Sequence, residues 1–142
     1  MAIGEKLWEG KGKSGGPGFI KSIDMSGVKS VYTWTAEMKG MGKAKGVDGN
    51  LNVTGLSKMP PKGLGGSMDQ GVFMTMTGDM AVVKGMALSK MSMDKKPTSV
   101  GLWSMMTMSE KLMWVNDTIC LVTFDAVDPM WMEFMVTIWE WT

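Results

Sequence analysis

Apolar and polar residues alternate with a period of two along most of the chain, wherever glycine does not interrupt them. The clearest case runs from Val28 to Met38: Val28, Ser30, Tyr32, Trp34, Ala36 and Met38 share one face, and Lys29, Val31, Thr33, Thr35 and Glu37 share the other. Successive side chains of a strand point to opposite sides, so this pattern predicts a long half-buried strand. Further strands are expected at Glu5 to Lys13, Phe19 to Met25, Val100 to Thr107, Thr118 to Phe124 and Met130 to Trp141, the last entered through an Asp128-Pro129 turn. Asp48-Gly49 separates Gly42-to-Val47 from Asn50-to-Gly55, and Gly78-Asp79 separates Val72-to-Thr77 from Met80-to-Met91. Both dipeptides tolerate positive φ and predict β-hairpins.

One segment departs from the period. Ser109 to Asn116 begins with an N-cap residue, has an acid in its first turn and spaces Leu112 and Val115 three apart, which predicts a short helical turn near residues 109–116. Ser57 to Ser67 reads as one long Pro/Gly-rich loop and Met93 to Ser99 as a smaller polar one, and neither has the composition of a domain linker. Eight or nine strands joined mostly by tight turns, with no βαβ alternation, describe an all-β protein. The expectation is a single domain over residues 1–142, an antiparallel up-and-down β-barrel. Eight strands also give a barrel an interior just wide enough for side chains or one small ligand.

The chain resembles the calycin-like barrels, the group that includes lipocalins, fatty-acid-binding proteins and the plant allene oxide cyclase barrel. The resemblance lies in a Trp-bearing first strand (Leu7-Trp8-Glu9-Gly10), successive antiparallel hairpins and a long terminal strand placed to close onto the first. Lipocalins carry Gly-x-Trp near that strand and a late arginine packed on the tryptophan. Here Lys6-Leu7-Trp8 has no glycine and the chain has no arginine, so the resemblance is one of architecture, to small prokaryotic barrels without an assigned function. It implies a lumen that takes a small apolar molecule or, as in the cyclase barrel, a cavity that guides a reactive hydrophobic substrate.

Composition narrows the chemistry. All 15 basic residues are lysines, and histidine is absent. That excludes a Ser-His-Asp or Cys-His pair, a histidine-containing zinc site and a guanidinium clamp. The lysines are the polar members of alternating segments, and the pI of 7.8 falls short of a nucleic-acid binder's basic profile. No apolar run approaches a membrane span and the first ten residues hold no secretory core, so a cytoplasmic location is expected. Gly10-Lys11-Gly12-Lys13-Ser14 lacks the first glycine of a phosphate loop, which makes its glycines marks of strand curvature. Cys120, inside the apolar run 118–122, reads as a buried inert thiol.

Methionine is unusually abundant, with 19 copies. Same-face pairs at Met74/Met76, Met91/Met93, Met106/Met108 and Met130/Met132 offer thioethers to a soft ion, or else form a pliable cavity wall; the second reading is preferred because soft-metal sites usually add histidine or cysteine. The terminal strand is apolar on both faces, with Met130, Met132, Phe134, Val136 and Ile138 on one and Trp131, Met135, Trp139 and Trp141 on the other. Either the first set fills the barrel and the tryptophans meet another subunit, or the tryptophans line the lumen. Glu133 shares the tryptophan face, where it is either a carboxylate of raised pKa or a cross-strand partner of a lysine. Tyr32 offers a hydrogen bond within an apolar pocket. The candidate ligand contacts are therefore Tyr32, Trp34, Trp103, Met105, Glu133 and Met135, with no metal or cofactor expected. The leading expectation is a small apolar ligand in a Met/Trp-lined cavity and a homo-oligomer; an isomerase- or cyclase-type enzyme and a purely structural, oligomer-forming role are the alternatives.

Overall fold

The computed structural model describes residues 3–16, 18–90 and 96–142. Nine strands lie among the described residues: β1 (Ile3–Ser14), β2 (Phe19–Asp24), β3 (Gly27–Gly40), β4 (Gly49–Met59), β5 (Gly65–Thr75), β6 (Met80–Lys90), β7 (Thr98–Thr107), β8 (Ile119–Ala126) and β9 (Glu133–Trp141). Each pairs antiparallel with its neighbours in the order β1-β9-β8-β7-β6-β5-β4-β3, and β1 also pairs with β3, so eight strands close into a barrel. Closure leaves no free sheet edge among those eight. The ninth strand, β2, extends β1 along the same side of β3: β1 pairs with residues 34–40 of β3 and β2 with residues 27–31.

Inward positions follow the alternation seen in the sequence. Trp34, Ala36 and Met38 of β3 are buried, as are Leu51 and Val53 of β4, Phe73 of β5, Val83 of β6, Trp103 and Met105 of β7, Val122 and Phe124 of β8, and Phe134, Val136 and Ile138 of β9. The terminal strand thus directs its phenylalanine and aliphatic side chains inward and leaves Trp139 and Trp141 on the outside, half-buried. A register shift between Lys6 and Trp8 breaks the alternation in β1 and lets consecutive Leu7 and Trp8 both be buried.

One end of the barrel is sealed. A 3-10 helix over Glu110–Asp117 joins β7 to β8 and buries Leu112 and Val115. Asn116 fixes it by accepting the Thr107 N–H (2.8 Å) and donating to the Thr107 carbonyl (3.2 Å). Beneath it Trp8 stacks on Trp114, meets Phe73 edge-on and donates its indole N–H to the Val47 carbonyl at 2.8 Å.

Three local expectations are corrected. Gly42 to Val47 is not a strand, because Gly42–Ala44 forms a 3-10 turn, and Asp48-Gly49 is not a hairpin tip, because Gly49 already pairs with Met38 and Thr75. Asp48 instead accepts the Gly40 N–H at 2.9 Å, closing a longer connection. The loop expected over 57–67 shrinks to residues 60–64, since β4 stays paired with β3 up to Met59 and β5 begins at Gly65. At the end of the chain, Met130 and Met132 precede β9 rather than belonging to it. The Gly78 turn, with φ +89°, joins β5 to β6 as expected.

Candidate functional site

The opposite end of the barrel is open, and a cavity of about 570 Å³ enters it. Its aromatic surface comes from Trp34, Phe124, Phe134 and Trp131, and its rim carries Ser14, Ser30, Ser57, Ser67, Ser89 and Ser99. Each serine is an inward position near the open end of its strand, where the barrel widens and hydroxyls reach both water and one another. Ser30 and Ser57 share a hydrogen bond of 2.7 Å, and Ser89 donates to Ser99 at 3.2 Å. The volume falls within the range of sites for small molecules, roughly 300–1,000 Å³.

Inside the rim lies one ionisable pair. Tyr32 donates its hydroxyl to Oδ1 of Asp69, and both side chains line the cavity. Five consecutive strands supply one transverse row here, Tyr32–Gly55–Asp69–Gly85–Trp103. The two glycines make the convergence possible. A Cβ on Gly55 would stand 2.2 Å from the Tyr32 ring and 2.7 Å from Asp69 Oδ1, and a Cβ on Gly85 would stand 2.5 Å from the Trp103 ring. Tyr32 and Trp103 therefore lean across glycine from opposite sides toward Asp69. The Trp103 N–H is buried without a hydrogen bond of normal geometry, yet it is close enough to favour the Asp69 carboxylate.

Burial dominates the electrostatics of the pair. It pushes the Asp69 carboxyl above its ordinary value, against the opposing pull of hydrogen bonds from Tyr32, Trp103 and Ser67. Burial, together with the adjacent Asp69 charge, also pushes Tyr32 far up, so its hydroxyl stays protonated and available as a donor. Asp69 forms no ion pair among the described residues, whose salt bridges lie at Lys6–Glu9, Lys11–Glu133 and Lys43–Glu140.

The mouth is shaped by the loop before β9. Both oxygens of Asp128 accept backbone N–H groups, from Met130 (2.8 Å) and Met132 (3.1 Å) on Oδ1 and from Glu133 (2.9 Å) on Oδ2. Within that loop Trp131 takes φ +57°, a left-handed conformation that non-glycine residues seldom adopt, and its ring meets Phe134 edge-on at 5.8 Å. The same hydrogen bonds hold Asp128 below the usual carboxylate range.

The six residues expected to contact a ligand divide three ways. Tyr32 and Trp34 line the cavity. Trp103 is buried behind it, stacked on Trp34 at 6.0 Å, and Met105 is buried one inward position further toward the sealed end. Glu133 and Met135 lie on the outer face: Glu133 pairs with Lys11 at 2.9 Å, the cross-strand alternative, and Met135 is exposed. Among the described residues, methionine contributes Met59 and Met130 to the lining. Thirteen of the sixteen described methionines are exposed, and only Met38 and Met105 are buried, so methionine belongs chiefly to the outer surface. Met91 and Met93 fall outside the described residues. Asp69 and the serines went unnoticed in the sequence, although Ser67, Asp69, Gly71, Phe73 and Thr75 share one parity and Phe73 is plainly a core type.

Among the described residues no group of acids, cysteines or histidines is arranged to hold a metal ion, and no helix is long and apolar enough to cross a membrane. Cys120 is buried and its thiol is pushed up to about 12, chiefly by burial.

Neither a protein-family model nor a curated protein matches the sequence. Solved structures do share the fold. A β-barrel-like protein from Acinetobacter baumannii superposes with a TM-score of 0.81 at 13% identity, covering 98% of this chain and 94% of its own. A protein of unknown function from Clostridium acetobutylicum gives 0.83 at 9% identity, with both chains fully covered. An enzyme from Penicillium herquei gives 0.70 at 17% identity, with coverage of 96% and 92%. At such identities the likeness establishes a common barrel and nothing about chemistry.

Proposed function

We propose that this protein is a calycin-like, cytoplasmic carrier that binds a small, largely apolar molecule in the open end of its barrel. The observation that carries the reading is the cavity of about 570 Å³, with an aromatic wall inside a serine rim and a single buried carboxyl. Mostly apolar surface with a small number of placed polar groups is the usual make-up of small-molecule sites. Tyr32 and Trp34 are the proposed contacts retained from the sequence, joined by Asp69, Phe124, Trp131 and Phe134. Because Trp34 and Trp131 line the space, intrinsic fluorescence reports occupancy. A panel of fatty acids, terpenoids and fused-ring aromatics is expected to contain ligands that shift this emission saturably and raise Tm. Indifference of both signals to the whole panel would overturn the reading.

The Tyr32–Asp69 contact favours a second reading, an isomerase- or cyclase-type enzyme acting on a hydrophobic substrate, because a carboxyl raised by burial inside a cavity suits proton transfer. Turnover of any bound hydrophobic ligand into an isomer, lost in Asp69→Asn, distinguishes it from a carrier.

The outer surface bears on the partner. Leu56, Met68, Met86 and Leu102 form a continuous exposed row across β4 to β7, flanked by Leu88 and Val100. A polar row, Gln70–Lys84–Ser104, borders this patch on one side and separates it from a second exposed apolar group at Met80, Val82 and Met106. Contiguous exposed apolar side chains mark interaction sites. A second copy of the chain, meeting the same patch about a two-fold axis, is the proposed partner. Sedimentation velocity should show a dimer that Met86→Lys converts to monomer; a wild-type monomer at micromolar concentration would exclude it.

A further inference from the structure

Asp69 is a buried carboxyl that forms no ion pair among the described residues, at the inner part of a cavity walled by aromatic rings. Carboxyls are rarely buried in this way unless paired. Its surroundings are also unusually deliberate. Two strands give up their side chains, at Gly55 and Gly85, so that the Tyr32 hydroxyl and the Trp103 indole approach it from either side. Both groups act toward Asp69 as neutral donors, so they orient the carboxyl and favour its charged form without neutralising it. Among the described residues that line the pocket, none carries a positive charge.

We propose that the cavity selects a ligand with a protonated amine, whose cationic head pairs with Asp69 and whose apolar body lies against Trp34, Phe124, Phe134 and Trp131. This deepens the carrier reading and rests on it. Ring faces add to the selection, because an alkylammonium group is attracted to the electron-rich face of tryptophan and phenylalanine, more strongly where water is excluded. A carboxylate ligand would instead meet Asp69 as a like charge, and a neutral ligand would leave the carboxyl desolvated and unpaired.

The pairing carries a proton balance. Burial favours the neutral acid in the empty pocket. At a pH where Asp69 is still neutral, entry of the cationic head displaces its proton to solvent and leaves an ammonium–carboxylate pair. Affinity for an amine should therefore rise as pH climbs through the Asp69 titration and level off above it. Of the residues facing Asp69 from β3, β4, β6 and β7, Tyr32, Gly55, Gly85 and Trp103, only Tyr32 titrates, and it stays protonated throughout.

Tryptamine, tryptophol and indole-3-propionate share one apolar body and differ only in the head group, so they serve as probes. Titration calorimetry at pH 8 is expected to give tryptamine at least tenfold tighter binding than tryptophol, with the propionate weakest. In Asp69→Asn the tryptamine preference should vanish while tryptophol binding persists. The wild-type protein supplies a second readout: tryptamine affinity should rise with pH while tryptophol affinity stays flat. Equal binding of tryptamine and tryptophol, or a preference that survives Asp69→Asn, would overturn the amine assignment and leave the carrier intact. Failure of all three probes, together with failure of the apolar panel, would remove both.

Discussion

The two ends of this barrel are built from the same strands yet resolve opposite demands. At the sealed end, Trp8, Phe73, Trp114, Leu112 and Val115 fill the space, and the indole N–H of Trp8 finds a backbone carbonyl. At the open end, large rings alternate with glycine and serine, a carboxyl is buried without a counter-ion among the described residues, and the Trp103 N–H lacks a bond of normal geometry. Sealed-end residues maximise contact with one another, whereas open-end residues leave room and unsatisfied polarity. Stability should accordingly be concentrated at one end and recognition at the other.

The comparison is broken most forcefully at the sealed end. Trp8→Ala removes a fully buried indole, two ring contacts and a hydrogen bond, and should cost about 3–5 kcal/mol in denaturant unfolding. An effect below about 1 kcal/mol would mean that the seal is not where stability resides. Gly55→Ala, at the open end, puts a methyl against Tyr32 and Asp69. It should cost about 1–3 kcal/mol and abolish ligand-induced fluorescence changes, because the pair must move apart.

Asp69→Asn separates the two ends by sign. A carboxyl raised in the folded state makes the protein most stable below its unfolded value of 3.8 and progressively less so as pH rises through the folded value. The variant should lack this decline, so its stability relative to wild type should increase between acidic and neutral pH. A parallel pH profile would place the raised carboxyl elsewhere. Asp128 works in the opposite direction: its lowered value makes the loop more secure above 3.8 and loosens it as pH falls. Asp128→Ala should release Trp131 and weaken ligand binding at neutral pH with little change in global unfolding. The smallest effect is expected at Cys120, whose thiol should react with a disulfide reagent only at the rate of unfolding.

Much of this fold was legible in the sequence because barrel strands obey a strict period. The inward parity of Val28 to Met38 holds at every position, and the helical turn after Ser109 appears where an N-cap and an i, i+3 apolar pair mark it. Connections were harder to read. Asp48-Gly49 has hairpin composition, but the Asp48 carboxylate caps the Gly40 N–H, a contact eight residues away that no dipeptide rule contains. Pro60, Pro61 and the glycines after them exaggerated the loop at 57–67, because cross-strand pairing holds β4 and β5 closer to the turn than local propensity implies. The site was obscured by a different rule: polar residues in an alternating strand normally face water. Ser67 and Asp69 obey the parity and face inward, since a barrel that opens into a cavity needs polar groups on its inner wall. The methionines inverted the expectation, as their abundance suggested a pliable pocket while the pocket is built from rigid aromatics.

That outward placement of the methionines has a chemical consequence. In the free chain, thioethers at Met68, Met86 and Met106 stand in reach of dissolved oxidants, a reach that the proposed second copy would close, while Met38 and Met105 are shielded by the wall. Conversion of the outer set to sulfoxides would coat the apolar face with polar S–O groups and leave the interior chemically untouched, a change that reductases can reverse. The barrel's surface thus carries a chemical state that varies with oxidative exposure while its architecture stays constant.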